Sequence, residues 1–479
     1  MTTVDASVQA PSGEDGFVAG ASEFIGGPLG RHAVRPGNRW AMVSAVVIAL
    51  TCAMFALHWA QKSDCSNGQW VKLSEYRHAC YTDVVALYFQ EGLVDGQVPY
   101  AEHAVEYPVL TGAFMGVVGL PVHAYAKAHP GTDEYSLYYN VTAFLLGVCA
   151  IAIVIGLLRM RRLRPWDAVM FAVAPAFLLT ATINWDLLAV MFAVFALYAW
   201  GRRMPVLTGI LIGLGAAAKF WPVFLLVPLV LLGWRARRLG DVFFTVSIAV
   251  LSWFAINLPV MLLYFDNWKQ FFTLNIKRDV DWGTFWYIGQ HVPVPGGRTG
   301  IPPFTSFDAN DYHLVNVLSY LLFGLGLVGI ALLVYLAPRR PRVAQLAFLT
   351  VATFLVFSKV WSQQYVLWLL PLAILARPRW GAFVAWQCAE ICYFFAFDGE
   401  LMRADGNPIF PEGVFVLAAT LRLVTVLVLC GFIVRDIMRP EHDVVLATYD
   451  DDPEGGVFNH AEDRWEVMAG LAAPKPASA

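Results

Sequence analysis

Apolar runs of about 20 residues recur along this chain, and no other feature limits its possible folds so sharply. A run of that length spans the hydrocarbon core of a bilayer as a helix. Inside lipid, every backbone N–H and C=O must find its partner within the protein. The composition agrees: 58% of the 479 residues are hydrophobic and 14% charged, against roughly 25% charged in soluble domains. The chain therefore reads as an all-α, polytopic transmembrane protein. A net charge of −3 offers no basic footprint for nucleic acid. Residues 1–38 are rich in Gly, Ala and Ser without an apolar core and read as a disordered tail. No cleavable signal is visible, and the first apolar run, starting near Trp40, would stay as an anchor.

Arginines set the expected topology. Arg31, Arg35 and Arg39 precede the first run, about 40–60. Because positive residues stay on the cytoplasmic side, the N-terminus is expected inside and 61–107 outside. The run 108–122 is short for a crossing, and the next, 137–158, ends in Arg159, Arg161, Arg162 and Arg164. If both crossed, that cluster would lie outside. Residues 108–122 are therefore read as a re-entrant or juxtamembrane helical segment of the first outer loop. Further runs at about 166–182, 185–201, 205–218, 220–234, 241–264, 314–336, 343–358, 365–376, 380–397 and 413–434 bring the expectation to about twelve crossings. Both termini are then cytoplasmic, and residues 39–437 form one transmembrane domain capped outside by loops 61–107 and 265–312. Residues 438–479, with Asp450, Asp451 and Asp452, read as a solvated cytoplasmic tail. No internal repeat is evident, which weighs against transporters built from duplicated halves.

The polar residues near the runs are one-sided. Asp83, Glu106, Asn184, Asp186, Lys219, Arg278, Asp279, Asp281, His291, Lys359, Gln363, Gln364 and Tyr365 all fall at expected outer junctions or loops. The inner loops carry arginine and little else. Ionisable groups at a membrane are costly and functional by default, so the outer face is where a site is expected. Each residue alone has a plainer reading. Asp83 opens a short helix and could be its N-cap; so could Asp186. Lys219 and Lys359 could snorkel to the interface, Trp282, Trp286 and Trp361 could form an aromatic belt, and His291 could be an ordinary loop residue. Five cysteines lie in apolar runs as packing residues, and Cys388 and Cys392 have no third ligand for a metal nearby. Cys65 and Cys80 share the first outer loop and can pair there in an oxidising compartment.

The stretch from Tyr81 to Tyr100, YTDVVALYFQEGLVDGQVPY, followed by Glu106-Tyr107-Pro108-Val109-Leu110-Thr111, resembles the first outer loop of GT-C glycosyltransferases, most of all glycosyltransferase family 87. Lys219-Phe220-Trp221-Pro222 and the segment from Gln364 to Pro371, QYVLWLLP, resemble the same group, over roughly residues 40–435. A single proline after Tyr107, where the family often has two, leaves the subgroup open. The resemblance implies an enzyme that moves a sugar, mannose by family analogy, from a polyprenyl-phosphate donor to an envelope glycolipid or polysaccharide acceptor outside the membrane. Asp83 would be the general base. Lys219, Lys359, Arg278 and His291 would meet the donor phosphate, with Gln363, Gln364 and Tyr365 on the wall. Glu106, Tyr107, Asn184, Asp186 and Asp281 would line the acceptor side. The donor is a substrate, so no cofactor is expected, and no carboxylate cluster argues for a metal. Two rivals stand beside this: a transporter or flippase of lipid-linked sugars, which needs polar groups on both faces, and a non-catalytic envelope-assembly protein, which tolerates loss of Asp83.

Overall fold

The structure is a computed structural model, and it describes residues 15–30, 40–66, 70, 72–307 and 312–465. Helices dominate, and one two-residue hairpin, Pro293–Val294 with Arg298–Thr299, is the strand content of the described residues. Seven helices are long and apolar enough to cross a membrane: Trp40–Gln61, Val109–Ala128, Glu134–Met160, Leu239–Leu263, Tyr312–Leu336, Trp380–Ala404 and Glu412–Met438. Shorter apolar helices, among them Asp186–Gly201, Pro205–Ala218, Val343–Phe357 and Val366–Ala376, pack between them. Length and apolarity thus give seven candidate spans; of the expected crossings, Asp186–Gly201, Pro205–Ala218, Trp221–Arg235, Val343–Phe357 and Gln363–Ala376 are apolar but shorter, and 166–182 is split into short helices, the last beginning at Pro175.

Burial sorts these helices into layers. Every residue of Val366–Ala376 is buried, and Asp186–Gly201 and Val343–Phe357 are nearly so. A helix that is apolar on all sides belongs inside a bundle. Leu239–Leu263 has only 11% of its apolar window buried and Tyr312–Leu336 only 17%; their outward leucines and phenylalanines are surface that lipid covers. Close approach comes from small residues. A Cβ at Gly209 would stand 2.6 Å from the Thr245 carbonyl oxygen, and one at Gly213 2.6 Å from that of Ala249. This pair, four residues apart, lets Pro205–Ala218 press backbone to backbone on Leu239–Leu263.

The helix Val109–Ala128 runs beyond the expected end at 122, through Pro121. Along its length it packs on the loop before it: Tyr100 meets Gly112, Pro99 meets Gly116, Leu93 meets Gly119 and His123 meets Gly96. Thr111 Oγ1 donates to the Ala218 carbonyl at 2.7 Å, and His123 Nδ1 lies 3.1 Å from Glu134.

Two expectations about the tails are corrected. Gly16–Gly30 is helical, and the Asp15 carboxylate just before it accepts from Trp380 N at 2.7 Å, at the start of Trp380–Ala404. Residues 440–465 are packed on the bundle rather than solvated. Buried arginines at the helix ends each take one of their acids: Arg161 with Glu454 at 2.9 Å, Arg342 with Asp443 at 2.8 Å and Arg235 with Asp463 at 2.9 Å. Acids from the stretch that read as a solvated tail are thus the counter-charges of arginines that read as topology signals, while Asp452 of that stretch accepts from Val343 N at 2.7 Å. Residues 1–14, 31–39 and 466–479 of the expected tails lie outside the described residues.

Candidate active site

At the opposite end of the bundle from those arginines, the chain builds a cavity of about 940 Å³. Asp83 stands on its wall. The helix Asp83–Gln90 is capped by Thr82, whose Oγ1 accepts from Val84 N at 3.2 Å, so Asp83 is the first helical residue and not the cap. Thr82 Oγ1 also donates to the Thr182 carbonyl at 2.6 Å, and Asp83 N donates to the Ile183 carbonyl at 2.8 Å. The helix start is thus tied to residues 182–183, and the carboxylate is turned away from its own helix end. Three donors fix it: Tyr81 OH to Oδ1 at 2.7 Å, and Asn184 Nδ2 at 2.8 Å and Gln364 Nε2 at 3.3 Å to Oδ2. All three are neutral, and a carboxylate has about four lone-pair positions, so one remains for a hydroxyl. Cys65 and Cys80 lie at disulfide distance, Cα to Cα 6.2 Å, and anchor the chain three residues before Asp83.

Glu106, Tyr107, Lys219, Arg278, Asp281, Lys359, Gln363, Gln364 and Tyr365 line the same cavity, as expected of them from the sequence. Burial, and then the Asp83 charge, push the Glu106 carboxyl above its usual range. Arg278 Nη2 reaches Asp281 Oδ2 at 3.1 Å with its side chain 44% exposed, so the rest of the guanidinium fork is open to the cavity. Lys359 donates to the carbonyls of Ile276, at 2.9 Å, and Arg278, which leaves its third N–H. Burial pushes its ammonium down to about 8. Part of the remaining wall is aromatic, including Phe224, Phe272, Phe323 and Phe354, and polar residues such as Asn275, Lys277 and Asn316 share it.

Other expected residues stand elsewhere. Asn184 and Asp186 lie behind the wall and touch it through Asp83 and Lys219. Asp186 is fully buried and caps nothing by its side chain; it accepts from Lys219 Nζ at 2.7 Å and from Trp368 Nε1 at 2.5 Å. His291 is not on the cavity. Its ring stacks on Tyr287, and Nε2 lies 3.8 Å from Glu412, because the helix Phe285–His291 carries it toward Glu412–Met438. Lys219 and Lys359 are 8% and 7% exposed, which removes the snorkelling reading. Among the described residues, no group of three or more His, Cys, Asp or Glu is placed to hold a metal ion.

Some site residues went unread. Tyr81 could not be distinguished from its aromatic neighbours in sequence. Arg422 was legible in principle, as a charge amid an apolar run. It is fully buried with Glu390 at 3.2 Å and donates to the Trp361 and Ser362 carbonyls at 3.0 and 3.1 Å, and so sets the loop that carries Gln363 and Gln364.

A helical membrane bundle with a cavity carrying one oriented carboxylate and several cations fits an enzyme that works on a lipid-borne substrate. Residues 113–362 match the model of glycosyltransferase family 87, and the chain belongs to that family. The matched region includes Lys219, Arg278 and Lys359 and begins after Asp83 and Glu106. No curated protein matches the chain.

Proposed function

We propose that this membrane glycosyltransferase transfers a sugar, mannose by family analogy, from a polyprenyl-phosphate donor to an envelope glycolipid or polysaccharide acceptor, with Asp83 as general base. The observation that carries the reading is the orientation of Asp83: three neutral donors hold its carboxylate facing a cavity that also exposes Arg278 and Lys359. In the reaction, Asp83 takes the proton of the acceptor hydroxyl as its oxygen bonds to the anomeric carbon. The bond from that carbon to the phosphate oxygen breaks, and polyprenyl phosphate leaves. The Arg278 fork and the free Lys359 N–H meet the charge that grows on the phosphate. The aromatic wall suits a prenyl chain, and the donor, already activated, requires no cofactor. Glu106, its carboxyl pushed above the usual range by burial and then by the Asp83 charge, faces the same cavity and is suited to hydrogen-bond a sugar hydroxyl.

In this reading the Asp83 end faces outward, both termini are cytoplasmic, and Val109–Ala128 lies along the membrane surface with its loop instead of crossing. The contacts of that helix with residues 93–100 and with Ala218 support this. The arginine end is filled by ion pairs with the C-terminal segment, which speaks against a flippase needing polar groups free on both faces. The test is incubation of purified protein in nanodiscs with radiolabelled polyprenyl-phosphate mannose and arabinose and with extracted envelope lipids. Transfer by the wild type and its loss in Asp83→Asn supports the reading; equal transfer by both overturns Asp83 as base.

A further inference from the structure

Lys219 lines the cavity and carries a charge, so a phosphate ligand is the obvious role for it. Its contacts point elsewhere. One N–H goes to Asp186 Oδ2 at 2.7 Å and a second to Asn184 Oδ1 at 3.2 Å. The ammonium also lies over the rings of Tyr107 and Tyr365, 5.6 and 5.3 Å from their centroids, and the residue is 8% exposed. Its counter-charge is already supplied by Asp186, which Trp368 Nε1 holds from the other side. An ammonium has three donors; two are taken and aromatic faces flank it.

Asn184 is the group through which this matters. Its Oδ1 accepts from Lys219 Nζ and from Trp185 N, the latter at 2.7 Å. With two donors on that oxygen, only one orientation of the amide is consistent, and it sends Nδ2 to Asp83 Oδ2 at 2.8 Å and to Tyr107 OH at 2.5 Å. A reversed amide would set a carbonyl oxygen against the carboxylate and an NH2 against two donors.

We propose that Lys219 is a positioning residue for the base: anchored by Asp186, it locks the Asn184 amide so that its N–H groups aim at Asp83 and Tyr107, and it does not bind the donor phosphate. The proposal rests on the reading of Asp83 as base. It separates Lys219 by task from the other cations of the cavity, with Arg278 and Lys359 left for the phosphate.

The test is steady-state transfer from a short-chain polyprenyl-phosphate mannose by wild type, Lys219→Met, Asn184→Ala and the double variant. A charge-assisted hydrogen bond of about 1.5–3 kcal/mol corresponds to a fall of roughly 10- to 100-fold in kcat. That fall is expected in Lys219→Met with the donor KM within twofold of wild type. The double variant should be no slower than Asn184→Ala, because both changes act on one interaction. Lys219→Met leaves Asp186 buried without its cation, so Lys219→Met with Asp186→Leu removes both charges of the pair. It should keep the wild-type melting temperature within a few degrees and show the same fall in kcat. A donor KM raised tenfold or more with kcat unchanged, or strictly additive losses in the double variant, overturns the proposal and makes Lys219 a phosphate ligand. If Asp83→Asn is as active as wild type, or if wild type transfers neither sugar, the underlying reading fails instead, and the inference with it.

Discussion

The two ends of this bundle bury similar numbers of charges and use them differently. At one end Arg161, Arg235 and Arg342 are each matched by an acid from the C-terminal segment, and the side chains of these arginines are about 1% exposed. The result is closed. At the other end Asp186 and Lys219 are matched in the same way, but Asp83 is matched only by amides and a phenol, and Arg278 and Lys359 keep donors in hand. Burying an ion without its partner costs several kcal/mol. An end that leaves such groups partly satisfied, beside an open cavity, leaves room for substrate to complete them.

Substitutions can break or sharpen that contrast. The largest effect is expected at Asp83. Asp83→Asn keeps size and fold and removes the proton acceptor, so transfer should fall about 10²- to 10⁴-fold, with the melting temperature unchanged by differential scanning fluorimetry. Next comes the closed end. Arg342→Leu strands the buried Asp443, which should cost about 3–5 kcal/mol. Denaturant titration reads the loss, and Asp443→Leu in the same chain should recover most of it while the folded fraction keeps its kcat. Third is the link at Cys65 and Cys80: the Cys65→Ser, Cys80→Ser variant should lose about 3 kcal/mol, and reductant should lower stability in the wild type but not in the variant.

The smallest effect is a pH dependence. The Lys359 ammonium is lowered by burial to about 8, so it is charged below that pH and neutral above it. Whatever it contributes to phosphate binding is present at pH 7 and lost as pH rises through about 8. The donor KM should climb by about tenfold at most between pH 7 and 9, and Lys359→Arg should flatten the rise. A KM independent of pH in wild type would remove Lys359 from the phosphate site.

Most of the open end was legible because polarity at a membrane is rarely accidental. Asp83, Glu106, Arg278, Lys359 and Gln364 stood out as polar residues on one expected face, and they line one cavity. His291 shared that face and went elsewhere, since a loop position does not fix the direction in which a short helix carries its side chain. Lys219 and Asp186 were both found, but their pairing was not: nothing in sequence spacing shows which of several nearby charges will neutralise one another. The closed end was misread for a related reason. Asp443, Glu454 and Asp463 lie in a stretch polar enough to remain in water, and only their long-range pairing with arginines as many as about 290 residues earlier makes them structural. The twelve expected crossings rested on hydropathy, which cannot see helices such as Pro175–Thr180 breaking after a turn or two.

The arginine–acid pairs at the closed end also impose an order on biogenesis. In the proposed orientation, Arg161, Arg235 and Arg342 must be bare during insertion, since free positive charges are what hold loops in the cytoplasm. Their counter-ions emerge later in synthesis, Asp443 being 101 residues beyond Arg342. The signals that orient the protein are therefore cancelled only after they have been read, and the segment that cancels them seals the finished bundle.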